Sequence, residues 1–347
     1  MTQTSAPAAL SLPSAGYVAD RPDLGHAAEG WDLADPAFYA VDPDTPCLLP
    51  ALAYRSLAFA DLEDDAVWTR GWIAVGFPAD IPGPGDLLPF SAGHHGIHVQ
   101  REPDGTVVGR FNKAQHGGCR AVPLQCRTGT QTRCSFTACG YSRDGDSLQA
   151  GPDGQPTPAM HQYLGLRPER LLPVAVAEAG PVILARLDPA PDGPEPLPAV
   201  LGDATPTFHR IEIDANWKLV LASLARCGPT GAPSIAVETH FPNLVLLSET
   251  GQGCAIILQP TALARTLCRI AIMTDGGKPA ATERWLGEID SRLAGVAAFQ
   301  EGLSRPDGGL VRPPADAAAL WVQGELATRI LSRSVAAAAG PLYATRL

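Results

Sequence analysis

Apolar positions recur along this chain in two rhythms, one helical and one strand-like. Between Ala51 and Gly71, the run ALAYRSLAFADLEDDAVWTRG sets Leu57, Ala60, Leu62, Val67 and Trp68 at helical spacing with acids between them, which predicts an amphipathic helix. Trp72–Phe77 then reads as a strand and Pro82-Gly83-Pro84-Gly85-Asp86 as a turn. From 87 to about 150 the pattern shortens. GIHVQ and TVVGRF are strand-like, cut by Gly, Asp and Pro, and two Gly/Cys-rich loops fall at 112–119 and 134–145. This predicts a small all-β module. Beyond GPDGQPTP come strands at VAVAEA, PVILARL and HRIEI, a helix around 216–224, and strands at AVETHF, LVLLSE and CAIILQP. Helices follow from about Thr282 to Leu303 and from Ala315 to Leu331. That order predicts an α+β domain with an antiparallel sheet and C-terminal helices. In the last helix Ala319, Trp321, Val322, Leu326, Ile330 and Leu331 make a broad apolar stripe, expected to pack in the core. The chain thus divides into an aperiodic arm over 1–46, a helix plus β module over 47–155, and the α+β domain over 156–347.

Composition narrows the function classes. The 347 residues carry a formal charge of −10, which argues against sequence-independent binding of nucleic acid. No apolar stretch reaches the roughly 20 residues that a spanning helix needs. The opening MTQTSAPAALSLPSAG has no basic region ahead of an apolar one, so a cytoplasmic protein is expected. In that compartment the eight cysteines are thiols or metal ligands rather than a disulfide framework. The 35 glycines and 34 prolines suit a loop-rich β protein.

Common catalytic signatures are missing: there is no GxxxxGK[ST], no HExxH and no GxSxG. The run His94-His95-Gly96-Ile97-His98 looks metal-like, but in a strand His94 and His98 would share a face roughly 13 Å apart, too far to grip one ion. A half-exposed strand with ordinary histidines is the expectation.

The informative stretches are Asn112-Lys113-Ala114-Gln115-His116-Gly117-Gly118, then Cys134-Ser135-Phe136-Thr137-Ala138-Cys139-Gly140-Tyr141-Ser142-Arg143-Asp144-Gly145, then Asn216-Trp217-Lys218, Phe241-Pro242-Asn243 and Gln300-Glu301-Gly302-Leu303. In order and spacing they resemble the α subunits of Rieske-type non-haem iron oxygenases, the ring-hydroxylating and demethylating family, from Tyr54 to about Leu331. The resemblance implies a Rieske-like β module followed by a helix-grip-like domain. In that family two Cys and two His hold a [2Fe–2S] cluster, and two His and one carboxylate hold a single iron. Here the first Cys position is Ala114 and the second His position is Thr137, leaving His116 and Cys134. On the iron helix the carboxylate that bridges to a neighbouring subunit falls at Arg226 or Cys227, and the first iron His falls at Pro229. The late carboxylate falls at Arg292, with Asp290 nearby. Scaffold positions match while ligand positions differ.

These departures set the expectations. Neither the cluster nor the mononuclear iron is expected. His116, Cys119, Cys134 and Cys139 could hold a structural zinc; alternatively these thiols and Cys126 are small buried hydrophobes, or Cys119 and Cys139 form a disulfide. Arg226 is expected in a surface or interface salt bridge, and Trp217 as a core anchor. The function expected is that of a non-catalytic partner subunit in a hetero-oligomeric, trimer-based oxygenase, beside a related intact α subunit and without activity of its own. The alternatives are an active oxygenase or demethylase with displaced ligands, and a small-molecule binding protein using the vestigial pocket.

Overall fold

A computed structural model describes residues 27–28, 30–33, 35–93, 95–112, 146–188, 193–194, 196–197, 206–226, 235–274, 279–304 and 312–336. Among the described residues, two large antiparallel sheets, a short pairing of Ala27–Ala28 with Trp31–Asp32 and a set of helices build the fold. The first sheet contains β1 (Ile73–Gly76), β2 (Leu87–Ala92), β3 (His95–Arg101), β4 (Val107–Phe111), β5 (Pro173–Ala179) and β6 (Val182–Arg186), in the order β1-β6-β5-β4-β3-β2. Strand β2 was not anticipated from the sequence, because Pro89 interrupts it; the sheet accommodates the proline by placing β2 at its edge. Strands β5 and β6, which lie beyond residue 155, complete this sheet. Gly109 pairs with Val174, and Val176 with Ala185.

The second sheet contains β7 (Thr207–Ile213), β8 (Ala236–His240), β9 (Leu244–Glu249), β10 (Gln252–Ala262) and β11 (Arg265–Met273), in the order β8-β9-β10-β11-β7. Its central strands read as nearly continuous apolar runs because both faces are covered, whereas edge strand β7 alternates between part-buried Ile and exposed polar residues. Strand β11 also escaped the sequence reading, since Arg269 interrupts its apolar run. The structure buries that arginine, with Nε and Nη2 both donating to Gln259 Oε1 on β10 at 3.1 and 2.8 Å. A buried cation is tolerable only with such partners.

The helices depart from expectation at two breaks. The helix foreseen over 51–71 is a short turn at Leu52–Arg55, then α1 (Leu57–Glu63) after Ser56 turns extended, then a π turn at Asp64–Trp68. Its acids do not all form a solvated face, because Glu63 and Asp64 are buried. The long late helix is α3 (Pro279–Leu293) and α4 (Val296–Ser304), separated where Gly295 takes φ +79°, a left-handed stop that suits glycine. The iron-helix motif forms α2 (Trp217–Leu224), buried along its whole length, and α5 (Ala317–Ala336) lays Val322, Leu326 and Ile330 into the core. Side chains from both sheets and these helices share one continuous apolar cluster. Asn243 of the Phe-Pro-Asn motif stitches the sheets together: it accepts from Ala74 N at 2.9 Å and donates to Ala74 O and Leu258 O at 2.7 and 3.0 Å.

Candidate functional site

Helix α2 is held at its N-terminal end by residues that the sequence motifs supply. Asn216 takes an extended conformation and caps the helix, its side chain accepting from Lys218 N at 3.1 Å. The Asn216 backbone N–H donates to Gln300 Oε1 at 3.0 Å, so the glutamine of Gln300-Glu301-Gly302-Leu303 closes the same turn from α4. Trp217 is the expected core anchor. Its ring meets Trp68 and Phe241 edge to face, at 5.2 and 5.8 Å between centroids, and its Nε1–H donates to Glu63 Oε2 at 3.3 Å. Lys218 donates from Nζ to the other oxygen of Glu63 at 2.5 Å, among the rings of Tyr54, Phe59 and Trp217 at 5.2–5.3 Å. Burial pulls the Lys218 ammonium below its ordinary pKa, and the Glu63 carboxylate opposes that shift.

The other end of α2 carries guanidinium groups. Arg226 pairs through Nε with Asp316 Oδ2 at 2.7 Å, both side chains largely in solvent. Arg292 reaches across from α3 with its side chain only 7% exposed. Its Nη1 donates to Leu224 O at 3.0 Å and to Arg226 O, while its Nε donates to Glu288 Oε1 at 2.7 Å. The contact is reciprocal, since Ser223 Oγ donates to Arg292 O at 2.5 Å. On this face of α2, Leu219, Ala222, Ser223 and Arg226 line a cavity of about 460 Å³, with Val296 and the half-exposed Phe299 opposite.

Guanidinium groups have no lone pair to offer a metal ion. Arg226 and Arg292 therefore do not fit the carboxylate roles that the resemblance implies for their positions; of the alternatives, Cys227 lies outside the described residues and Asp290 is exposed on α3. Pro229, at the first iron-His position, lies outside the described residues. The next histidine, His240, sits on strand β8 and pairs with Glu238 at 3.0 Å. Among the described residues no group of three His, Cys, Asp or Glu side chains is placed to hold a metal ion. Two buried thiols flank the second sheet's core, Cys254 and Cys268. Burial pushes both up to about 12, so neither offers a thiolate at neutral pH.

Of the first Rieske-like box, only Asn112 is described. The remainder and the second box, with Ala114, His116, Cys119, Cys126, Cys134, Thr137 and Cys139, lie outside the described residues. Asn112 is buried and its Oδ1 stands 2.8 Å from His98 Nδ1, so the imidazole carries its proton on that nitrogen. The histidine strand is not half-exposed as expected. His98 is fully buried and His95 nearly so, with His95 Nε2 3.3 Å from Asp64 Oδ2. Burial lowers the His98 pKa to about 4, against the bond to Asn112, which favours the charged ring.

Sequence reasoning passed over Glu63, Asp64 and Gln259 as partners. One signal was available for the first: a lysine in the first turn of an otherwise apolar helix needs an acid once the helix is buried, and Asp61-Leu62-Glu63-Asp64-Asp65 is the densest acidic run in the chain.

No family model matches the chain. It is 27% identical over 189 residues to the glycine betaine monooxygenase oxygenase subunit of Chromohalobacter salexigens, a match covering 52% of this chain and 41% of that protein. It is 27% identical over 136 residues to the N,N-dimethyl phenylurea N-demethylase subunit alpha of a Sphingobium species, covering 39% and 28%. These matches span less than half the length of the curated relatives. Among solved structures, the apo quaternary ammonium Rieske monooxygenase CntA superposes with a TM-score of 0.59 at 17% identity, covering 85% of this chain and 98% of that one. A naphthalene 1,2-dioxygenase superposes with a TM-score of 0.51 at 13% identity, covering 83% and 95%. The mixed α+β architecture with antiparallel sheets is the one these structures share.

Proposed function

Because this chain is a relative of the Rieske-type non-haem iron oxygenase α subunits in sequence and in fold, we propose that it serves as a non-catalytic partner subunit of such an oxygenase, joining an intact α subunit in a trimer-based hetero-oligomer. One observation carries this reading. The motif residues Asn216, Trp217, Lys218 and Gln300 together hold the N-terminal end of α2, while the position the resemblance implies for the bridging carboxylate falls at Arg226 or Cys227 and that for the late carboxylate at Arg292, with Asp290 nearby. Ala114 and Thr137 at two cluster-ligand positions support it from the sequence. On this reading the chain holds neither a [2Fe–2S] cluster nor a mononuclear iron. What it contributes is surface: stability of the assembly, access to the partner's site, or docking of the reductase.

Co-expression with an intact α subunit of the same organism, followed by gel filtration, tests the proposal. A single peak containing both chains is the expected result, and two separate peaks overturn it. Iron analysis and the visible spectrum of the chain purified alone form the second arm. Colourless protein with iron far below one per chain is expected. A brown preparation with near-stoichiometric iron would favour an active oxygenase or demethylase with displaced ligands. The cavity of about 460 Å³ on the α2 face favours one further reading, a small-molecule binding protein. Mass spectrometry of a co-purified ligand, lost when Ala222→Trp fills that cavity, would distinguish it.

A further inference from the structure

In the relatives' arrangement implied by the sequence motifs, a metal ion joins the end of the iron helix to the late helix. Here the same two helices, α2 and α3, are joined by the side chain of Arg292, with Ser223 beside it. Arg292 sits eight residues before Gln300, where the late carboxylate is expected, and reaches the C-terminal end of α2 with its guanidinium withdrawn from solvent. There it donates to two main-chain carbonyls, Leu224 O at 3.0 Å and Arg226 O. The last carbonyls of a helix have no partner within the helix and carry its negative pole, so a cation placed there is stabilising. The planar guanidinium serves both carbonyls from Nη1 and Glu288 from Nε in one fixed geometry, which an ammonium does with less directional control. Glu288, one turn earlier on α3, neutralises the guanidinium and holds its Nε at 2.7 Å. Ser223 Oγ, returning a bond to Arg292 O, ties the main chain of α3 to α2 as well.

We propose that the Arg292 guanidinium is a protein-borne cation that replaces a metal ion as the link between α2 and α3, so that this site is closed to divalent metal and the helix pair is stable without one. The two ends of α2 are then fastened by the same late segment, Gln300 at one end and Arg292 at the other. The inference rests on the register of α3 used above and not on assembly with a partner. Co-purification therefore bears on the proposed function, and the measurements below bear only on this link.

The test uses the full chain with Arg292→Met, which keeps the aliphatic stem and loses every donor, and Arg292→Lys, which keeps the charge and loses the fork. Arg292→Met should lower the thermal midpoint by about 2–4 °C, with Arg292→Lys in between. Hydrogen exchange in the segment 217–226 should quicken by roughly tenfold in Arg292→Met, while β9–β11 stay unchanged. Excess ferrous or cobaltous ion, or a chelator, should leave the wild-type midpoint where it is. Unchanged exchange in 217–226 for both variants would overturn the link. A wild-type midpoint that rises with metal and falls with chelator would equally overturn it, and that readout stands even if Arg292→Met does not fold.

Discussion

The two ends of α2 solve opposite electrostatic problems. At the N-terminal end a full positive charge, Lys218, is buried and must be matched, and Glu63 does so at 2.5 Å with three aromatic rings packed around the pair. At the C-terminal end the partial negative charge of the helix needs a cation, and Arg292 supplies it, while Arg226 lies outside in an exposed pair with Asp316. The first end is fixed by what it would cost to leave a charge alone in the core. The second is held by hydrogen bonds to main-chain carbonyls, which set geometry without demanding a particular partner residue. This difference leaves the first end dependent on two particular residues and the second open to any side chain that can cap the carbonyls.

Breaking the buried pair should have the largest effect. Lys218→Met leaves Glu63 in the core without its counter-charge, and a loss of about 3–5 kcal/mol is expected in denaturant unfolding. Adding Glu63→Gln should recover part of it, because the orphaned charge disappears. If Lys218→Met unfolds within ~1 kcal/mol of wild type, the contrast between the two ends of α2 fails.

The first sheet sharpens the comparison, because there burial acts on a group that can lose its charge. The folded His98 pKa is about 4, below the ordinary 6.5. Between these values the unfolded chain binds more protons than the folded one, so the contribution is present above pH 6.5 and is lost as pH falls towards 4. The upper bound is about 3 kcal/mol, from about 1.4 kcal/mol for each pKa unit. Chemical unfolding at stepped pH measures it, and His98→Phe should flatten the slope in that window.

Smaller effects belong to the caps. Gln300→Leu removes the acceptor for the buried Asn216 N–H, and a loss of about 1–2 kcal/mol is expected, seen as a shift in denaturant midpoint at constant slope. Arg226→Ala should change stability by no more than about 0.5 kcal/mol, because both partners of that pair are largely solvated. A larger loss would mean that the exposed end of α2 is tied as firmly as the buried one.

The sequence carried a good part of the architecture. Strands β3 and β4, the helix at 216–224 and the amphipathic last helix follow from local periodicity, and Trp217 with Val322, Leu326 and Ile330 of the α5 stripe lies in the core as expected, Ala319, Trp321 and Leu331 packing against it part-buried. What local pattern could not supply is pairing between distant residues. Glu63 drew no role from the local pattern because its partner lies 155 residues away. Strand β11 was hidden by Arg269, whose charge is satisfied on the neighbouring strand by Gln259. Arg292 read only as a missing carboxylate, because its purpose lies in the carbonyls of a helix 66 to 68 residues earlier.

The first sheet closes over a long detour. Phe111 N donates to Leu172 O at 2.9 Å, and Gly109 pairs with Val174, so the chain leaves the sheet at β4 and returns beside its point of departure. The entropic penalty for such a closed excursion grows only logarithmically with its length. Its length can therefore change at little entropic cost, while Leu148 paired with Leu87 and the buried Met160, Tyr163 and Leu164 tie its later part back to the sheet.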